Sequence, residues 1–148
     1  MSAATPNVAA SVSLSQSAAA QSLRATGARV TGARIAILSL LTKANRALSH
    51  REVEQALETA HIDRVTVYRV LDWLTSEGLA HKIADDQRIF RFSAVGRQGD
   101  AHAHFKCRVC SNVFCLPSGT APRLKLPAGF QGDEVELTVK GVCAQCAA

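Results

Sequence analysis

Two cysteine pairs, Cys107-Arg-Val-Cys110 and Cys143-Ala-Gln-Cys146, occupy the carboxy-terminal half of a chain of 148 residues. A C-x-x-C turn can aim two thiolates at one ion, and two such turns complete the tetrahedral set that a structural Zn²⁺ takes. A set closed by four thiolates leaves no open position, so its role is to tie distant parts of a domain together. A redox-active dithiol is the alternative, and it needs an exposed thiol of low pKa. His102-Ala103-His104 stands just before the first pair and a fifth cysteine, Cys115, just after it. On a strand, His102 and His104 point to one face and can share an ion. These are more soft and borderline ligands than one closed site uses, which implies a second site.

The same residues argue against an enzyme. A zinc deaminase needs H-x-E with P-C-x-x-C, yet His102-Ala103-His104 contains no glutamate and Phe105-Lys106 precedes the first pair. A zinc hydrolase needs an open metal position and a general base, and the paired thiols leave neither. Lys and Arg outnumber Asp and Glu by 17 to 12, and residues 24–69 hold eight basic residues against four acidic ones. That concentration makes nucleic acid a candidate partner, with a merely basic solvated surface as the plainer reading.

No run is long and apolar enough to span a bilayer. The first 23 residues carry no Lys or Arg, so the basic start of a secretory signal is missing and a cytoplasmic location is expected. A reducing compartment favours metal-bound over disulfide-bonded cysteines.

The elements that must position these residues follow from caps and periodicity. Residues 1–22 are rich in Ala, Ser, Val and Gln and read as a disordered tail. Thr31 can cap a helix whose Ile35, Leu38 and Leu41 share a face broadened by Ile37 and Leu40. Ser49-His-Arg-Glu52 is a capping box with Leu48 and Val53 as staple, and its helix should run to about Thr59. Asp63 can cap a third helix with Val67, Val70, Leu71 and Leu74 inward, ending near Gly78. Two helices joined by a tight connection read as helix-turn-helix. Leu79 to Ile83 and Arg88 to Phe92, around an Ala-Asp-Asp-Gln turn, predict a hairpin that would serve as a wing. A polar linker over 95–101 leads to strands at His104 to Cys107, Val113 to Leu116 and Glu134 to Val142, with a loop-prone Pro117 to Gly132 between the last two. On the third helix, Thr66, Arg69 and Trp73 fall on one flank outside the core stripe, with Arg64 near its start. Arg can pair with a guanine edge, and Thr or Tyr can meet a phosphate or a thymine methyl.

The run Asp63-Arg-Val-Thr-Val-Tyr-Arg-Val-Leu71 with Leu74 and Gly78-Leu79 resembles the recognition helix of the ferric uptake regulator family. Arg29-Val-Thr-Gly-Ala-Arg34 is similar to that family's first-helix entry. His102-Ala-His104-Phe-Lys-Cys107-Arg-Val-Cys110 resembles its metal element, and Gly141-Val-Cys143-Ala-Gln-Cys146 its closing knuckle. The likeness runs from about Leu23 to Cys146. It implies an α+β chain in which a winged helix-turn-helix DNA-binding domain (23–94) and a hinge (95–101) precede a small α/β dimerisation domain (102–148) with a four-cysteine zinc site. It also implies a metal-responsive repressor that binds a palindromic operator as a homodimer, because two-fold symmetry must match an inverted repeat. By the same likeness Tyr68 and Arg69 are the main readers of double-stranded DNA, assisted by Thr66 and Arg64.

The regulatory metal site must then come from His81, Asp100, His102, His104 and Cys115. Resemblance to the family's zinc sensors implies a hinge-side ligand at His81 and another at Cys115. Taken singly, His81 reads as a surface strand histidine and Cys115 as a small buried hydrophobe between Phe114 and Leu116. The chain departs from the family at Phe90-Arg91-Phe92-Ser93, where relatives carry Glu or Cys and this chain offers no good ligand, so Cys115 or Asp100 must compensate if the site is four-coordinate. Three histidines and a cysteine suit Zn²⁺ better than Fe²⁺ or Mn²⁺. The expectation is therefore a zinc uptake regulator, ahead of an iron, manganese or peroxide sensor. A zinc-ribbon interaction module without DNA binding is the remaining alternative.

Overall fold

Thr31, Ser49 and Asp63 each cap a helix through a side-chain oxygen that accepts from the backbone N–H three residues on. The computed structural model describes residues 8–95, 101–116, 124–133 and 135–148. Helix α1 (Val8–Ala25) is followed by α2 (Gly32–Lys43), strand β1 (Leu48–Ser49), α3 (His50–Ala56), a 3-10 turn (Glu58–Ala60) and α4 (Arg64–Ser76). The hairpin β2 (Ala80–Ala84) and β3 (Phe90–Ala94) comes next, then β4 (Ala101–Cys107), β5 (Val113–Cys115), β6 (Val135–Gly141) and the short α5 (Ala144–Ala147). The architecture is α+β, as expected.

The expected core stripe of α4 is buried in full: Val67, Val70, Leu71 and Leu74 meet Ile37, Leu38 and Leu41 of α2, Val53 of α3 and Phe92 of β3. The capping box closes from both sides, since Glu52 N–H donates to Ser49 Oγ and Ser49 N–H to the Glu52 carboxylate. Helix α3 is shorter than expected and finishes in the 3-10 turn, which His61 ends in the left-handed conformation at φ 52°. Gly78, at φ 71°, supplies the turn out of α4 into the hairpin.

A disordered tail was expected over 1–22, but α1 begins at Val8 and sets Ala19 and Leu23 into the core cluster with α2. Alanine has the highest intrinsic helix propensity, and two inward side chains give such a helix a surface to dock on.

Among the described residues, six strands form two sheets of three. In the first, β3 lies centrally, antiparallel to both β1 and β2; the β1 pairing joins the capping box to the wing. In the second, β4 is central, antiparallel to β5 and parallel to β6. The sheets meet at a seam where Ala47, Ile83 and Val113 bury against one another. Ala47 N–H donates to Val113 O at 2.7 Å, and Lys106 Nζ to Ala84 O at 2.6 Å. Among the described residues no helix is long and apolar enough to cross a membrane.

Candidate functional site

The four paired cysteines converge. Strand β4 ends at Cys107 in parallel register with Gly141 of β6, which brings the second C-x-x-C beside the first. Gly141 lets the strands close up, since a Cβ there would stand 3.1 Å from the Phe105 ring. The first turn is held by Cys107 N–H to Asn112 O and Ser111 N–H to Cys107 O; the second by Cys146 N–H to Cys143 O. All four Sγ atoms lie within 4.8 Å of one another, with Cys107 and Cys143 buried. A tetrahedral Zn²⁺ with Zn–S of about 2.3 Å separates its sulfurs by about 3.8 Å. Cys110 and Cys143 stand at that spacing, 3.8 Å, so the donor set fits the ion.

Backbone N–H groups of Cys110 and Cys143 draw the Cys107 thiol down to about 6. The neighbouring Cys143 sulfur and desolvation push Cys146 up to about 12. Thiols packed this closely cannot all ionise without a compensating cation, which is the chemistry a divalent ion supplies.

Three of the other expected ligands, His81, His104 and Cys115, lie at the seam. His81 of β2 stands opposite Ser93 of β3, and His104 of β4 opposite Cys115 of β5. The two cross-strand pairs abut: the His81 and His104 rings are 6.1 Å apart and edge-on, and Ser93 Oγ lies 2.8 Å from Cys115 Sγ. His104 is buried and Cys115 is exposed, which removes the reading of Cys115 as a buried hydrophobe. Among the described residues, the seam does not draw three ligand atoms into a cluster as tight as that of the cysteines. The backbone of His102 is in register with Glu136 of β6, its side chain lies outside the described set, and Asp100 lies outside the described residues. Ser93, in a segment expected to offer no good ligand, is the residue of the first pair that meets Cys115. Only the docking of the sheets reveals that proximity.

The outer face of α4 carries the expected readers unequally. Arg64, Tyr68 and Arg69 are exposed. Thr66 is committed locally, its hydroxyl donating to the Asp63 carboxylate that caps the helix. That bond and the Thr66 N–H hold the Asp63 carboxyl below its ordinary value. Trp73, which the helical period puts on the reading flank, is covered by the Arg34 guanidinium at 3.7 Å from its ring. Tyr68 stacks on His50, centroids 3.3 Å apart and planes 19° from parallel. Sequence reasoning did not single out His50; the signal was its place directly after the Ser49 cap, on the helix that packs against α4. A cavity of about 520 Å³ opens beside the stack, lined by Arg51, Arg64, Lys82 and Phe90 among others.

The wing turn is braced from within. Asp85 is buried; its Oδ1 accepts from the N–H groups of Gln87 and Ile89, and its Oδ2 from Arg91 Nε at 3.1 Å. Arg91 continues to Glu52 at 3.2 Å, and Glu52 to Arg46 at 2.8 Å. Burial pushes both carboxyls up, but the N–H and guanidinium donors outweigh it and hold both below their ordinary values.

The model of the ferric uptake regulator family matches residues 25–123. Transcriptional regulator FurA of Mycobacterium tuberculosis and that of Mycobacterium bovis are each 38% identical over 90 residues, 57% of this chain and 59% of theirs. The chain thus spans less than two thirds of the length of these curated relatives. A solved zinc uptake regulator complexed with zinc and DNA has a TM-score of 0.65 at 20% identity, covering 92% of this chain and 95% of that one. The Vibrio cholerae ferric uptake regulator gives 0.62 at 22% identity, covering 83% and 98%. At those identities the structural likeness is one of fold, but the family match extends from the end of α1 through the wing and past the first cysteine knuckle and β5. This chain belongs to the ferric uptake regulator family, whose members are transcription regulators and not enzymes.

Proposed function

We propose that the chain is a zinc-sensing transcriptional repressor that binds an inverted-repeat operator as a homodimer and controls metal-uptake genes. Its parts are a DNA-binding unit that takes in α1 and runs to residue 94, a hinge (95–101) and a metal-binding dimerisation unit (102–148). Cys107, Cys110, Cys143 and Cys146 would hold a structural Zn²⁺. The regulatory ligands would be His81, His102, His104 and Cys115, with Asp100 as alternate, and the DNA contacts would come from Arg64, Thr66, Tyr68 and Arg69.

The observation that carries this reading is the abutting of His81 against His104 at the seam, with Cys115 across the strand from His104. His81 belongs to the wing, His104 and Cys115 to the second sheet, so ligands from both sides fix the angle between the units when they share an ion. Two imidazoles and a thiol favour Zn²⁺ over Fe²⁺ and Mn²⁺, which supports a zinc sensor over the iron or manganese sensors of the same family. Turning a mostly incompetent ensemble into a mostly competent one takes about 5.5 kcal/mol of differential binding. Structural zinc sites reach gross affinities of order 10 kcal/mol or more, so a site spanning both units has enough in hand.

The test is metal content alongside DNA binding. Native protein should hold about two zinc ions per chain, falling to about one in Cys115→Ala or His104→Ala, with zinc-dependent binding to an inverted-repeat duplex lost. Zinc-dependent binding unchanged in both variants would falsify the regulatory assignment. Failure of the native chain to bind any inverted repeat at low salt with zinc would instead favour an interaction module.

A further inference from the structure

The His50–Tyr68 stack lies between α3 and α4, outside both proposed sets of metal ligands. His50 opens α3 directly after the Ser49 cap, so its backbone is anchored by the capping box and, through Glu52, by Arg46 and Arg91. Its Nε2 is buried with no hydrogen-bond partner. A residue there only to fill space would do better without that nitrogen, since a buried polar atom left unpaired is costly. What the imidazole gains is its flat contact with Tyr68, which remains 48% exposed on the outer face of α4. Desolvation, opposed by Glu54 and Asp72 and aided by Arg64, lowers the His50 pKa from 6.5, so a neutral ring faces the phenol at neutral pH.

We infer that His50 is a positioning residue for DNA recognition: it fixes the Tyr68 ring in the orientation from which α4 reads a base edge. The inference rests on Tyr68 being a reader, as proposed above. A tyrosine on an open helix face must give up rotamer freedom when it meets DNA, whereas a ring already stacked on an anchored partner has less to lose. His50 therefore acts on sequence discrimination through Tyr68. It contributes little to phosphate contacts, which Arg64 and Arg51 at the rim of the adjoining cavity are placed to make.

The test uses the full zinc-loaded chain, a duplex enriched by that chain from a random pool, and a scrambled duplex of equal length. Discrimination is the ratio of the two affinities. Tyr68→Ala should lower it about tenfold or more, as loss of a base contact does. His50→Ala should lower it about five- to tenfold, His50→Phe should restore it, and His50→Ala should add nothing in a Tyr68→Ala background. Tyr68 is the chain's single tyrosine, so its ring-proton shifts need no assignment strategy; they should move in His50→Ala and stay ring-current shifted in His50→Phe. A Tyr68→Ala loss with His50→Ala unchanged, a His50 effect that persists without Tyr68, or an equal loss on both duplexes overturns the positioning role alone. No effect of Tyr68→Ala overturns the reader assignment and this inference with it.

Discussion

The cysteine cluster and the seam use similar ligand chemistry in opposite ways. Cys107, Cys110, Cys143 and Cys146 come from one sheet and two tight turns, and the β4–β6 register brings their sulfurs together. At the seam, His81 and His104 come from different sheets, and their distance depends on how those sheets dock. A site whose donors are preset by local backbone gains little from responding to its ion. A site whose donors sit on two bodies turns binding free energy into a change in the relation between those bodies. The difference in assembly, more than any difference in ligand type, separates a structural centre from a candidate switch.

The comparison breaks most visibly if the cluster is attacked. Cys143→Ser should remove about one zinc ion per chain and several kcal/mol of stability from the second sheet, because structural zinc binding is folding free energy. Helices α2 to α4 should keep their circular dichroism, since their core is separate from β4 to β6. Loss of the helical signal together with the ion would mean that the two halves fold as one unit.

Next in size is the brace on the wing side of the seam. Asp85→Ala leaves the Arg91 guanidinium, with its side chain 11% exposed, with Glu52 as its remaining ion-pair partner among the described residues. Removing one partner of a buried pair costs about 3 kcal/mol, here read by urea denaturation. The folded carboxyls of Asp85 and Glu52 lie below their ordinary values, so on acidification the unfolded chain takes up protons first. Their stabilisation is complete above the ordinary carboxylate range and is lost as pH falls through it toward the folded values. Asp85→Asn should flatten that acid limb; an unchanged slope would show the brace to be idle.

How far the sequence disclosed these regions follows from the range of the interactions. Caps and apolar periodicity are local, so Thr31, the Ser49–Glu52 box, Asp63 and the α4 stripe were all legible. The two C-x-x-C motifs were legible because each sets its own turn. The parallel β4–β6 pairing and the short β1 were not, because strand partners are chosen by tertiary contacts. Helix α1 was missed because an Ala- and Ser-rich composition is ambiguous until Leu23 finds a surface. Ser93 beside Cys115, and His50 under Tyr68, are meetings of distant elements, which neither spacing nor residue type announces.

Cys115→Ala sharpens the comparison from the seam side. Cys115 is exposed and, among the described residues, meets Ser93, so the fold should lose little; without added zinc the melting temperature should stay close to wild type. Zinc-dependent binding to an inverted repeat should nonetheless weaken by about 10- to 100-fold, the equivalent of one good metal ligand. A large drop in melting temperature would recast Cys115 as a structural residue.

The smallest effect should come from the seam's own fastening. Lys106 Nζ donates to the Ala84 carbonyl at 2.6 Å, joining β4 to the end of β2 without taking part in either sheet's ladder. Lys106→Met keeps the aliphatic stem and deletes the donor, and the Ala84 carbonyl, on an exposed residue, can turn to water instead. Stability should therefore change by less than about 1 kcal/mol. The docked arrangement, however, loses a bond that the undocked one never had, so zinc-dependent DNA binding should fall by about two- to fivefold. Lys140, ion-paired with Asp86 at 3.4 Å but largely exposed at both ends, is the control: Lys140→Met should move neither quantity measurably. If Lys106→Met changes as little as Lys140→Met, the Lys106 bridge adds nothing to a contact already made by the burial of Ala47, Ile83 and Val113 and by the Ala47 N–H to Val113 O bond.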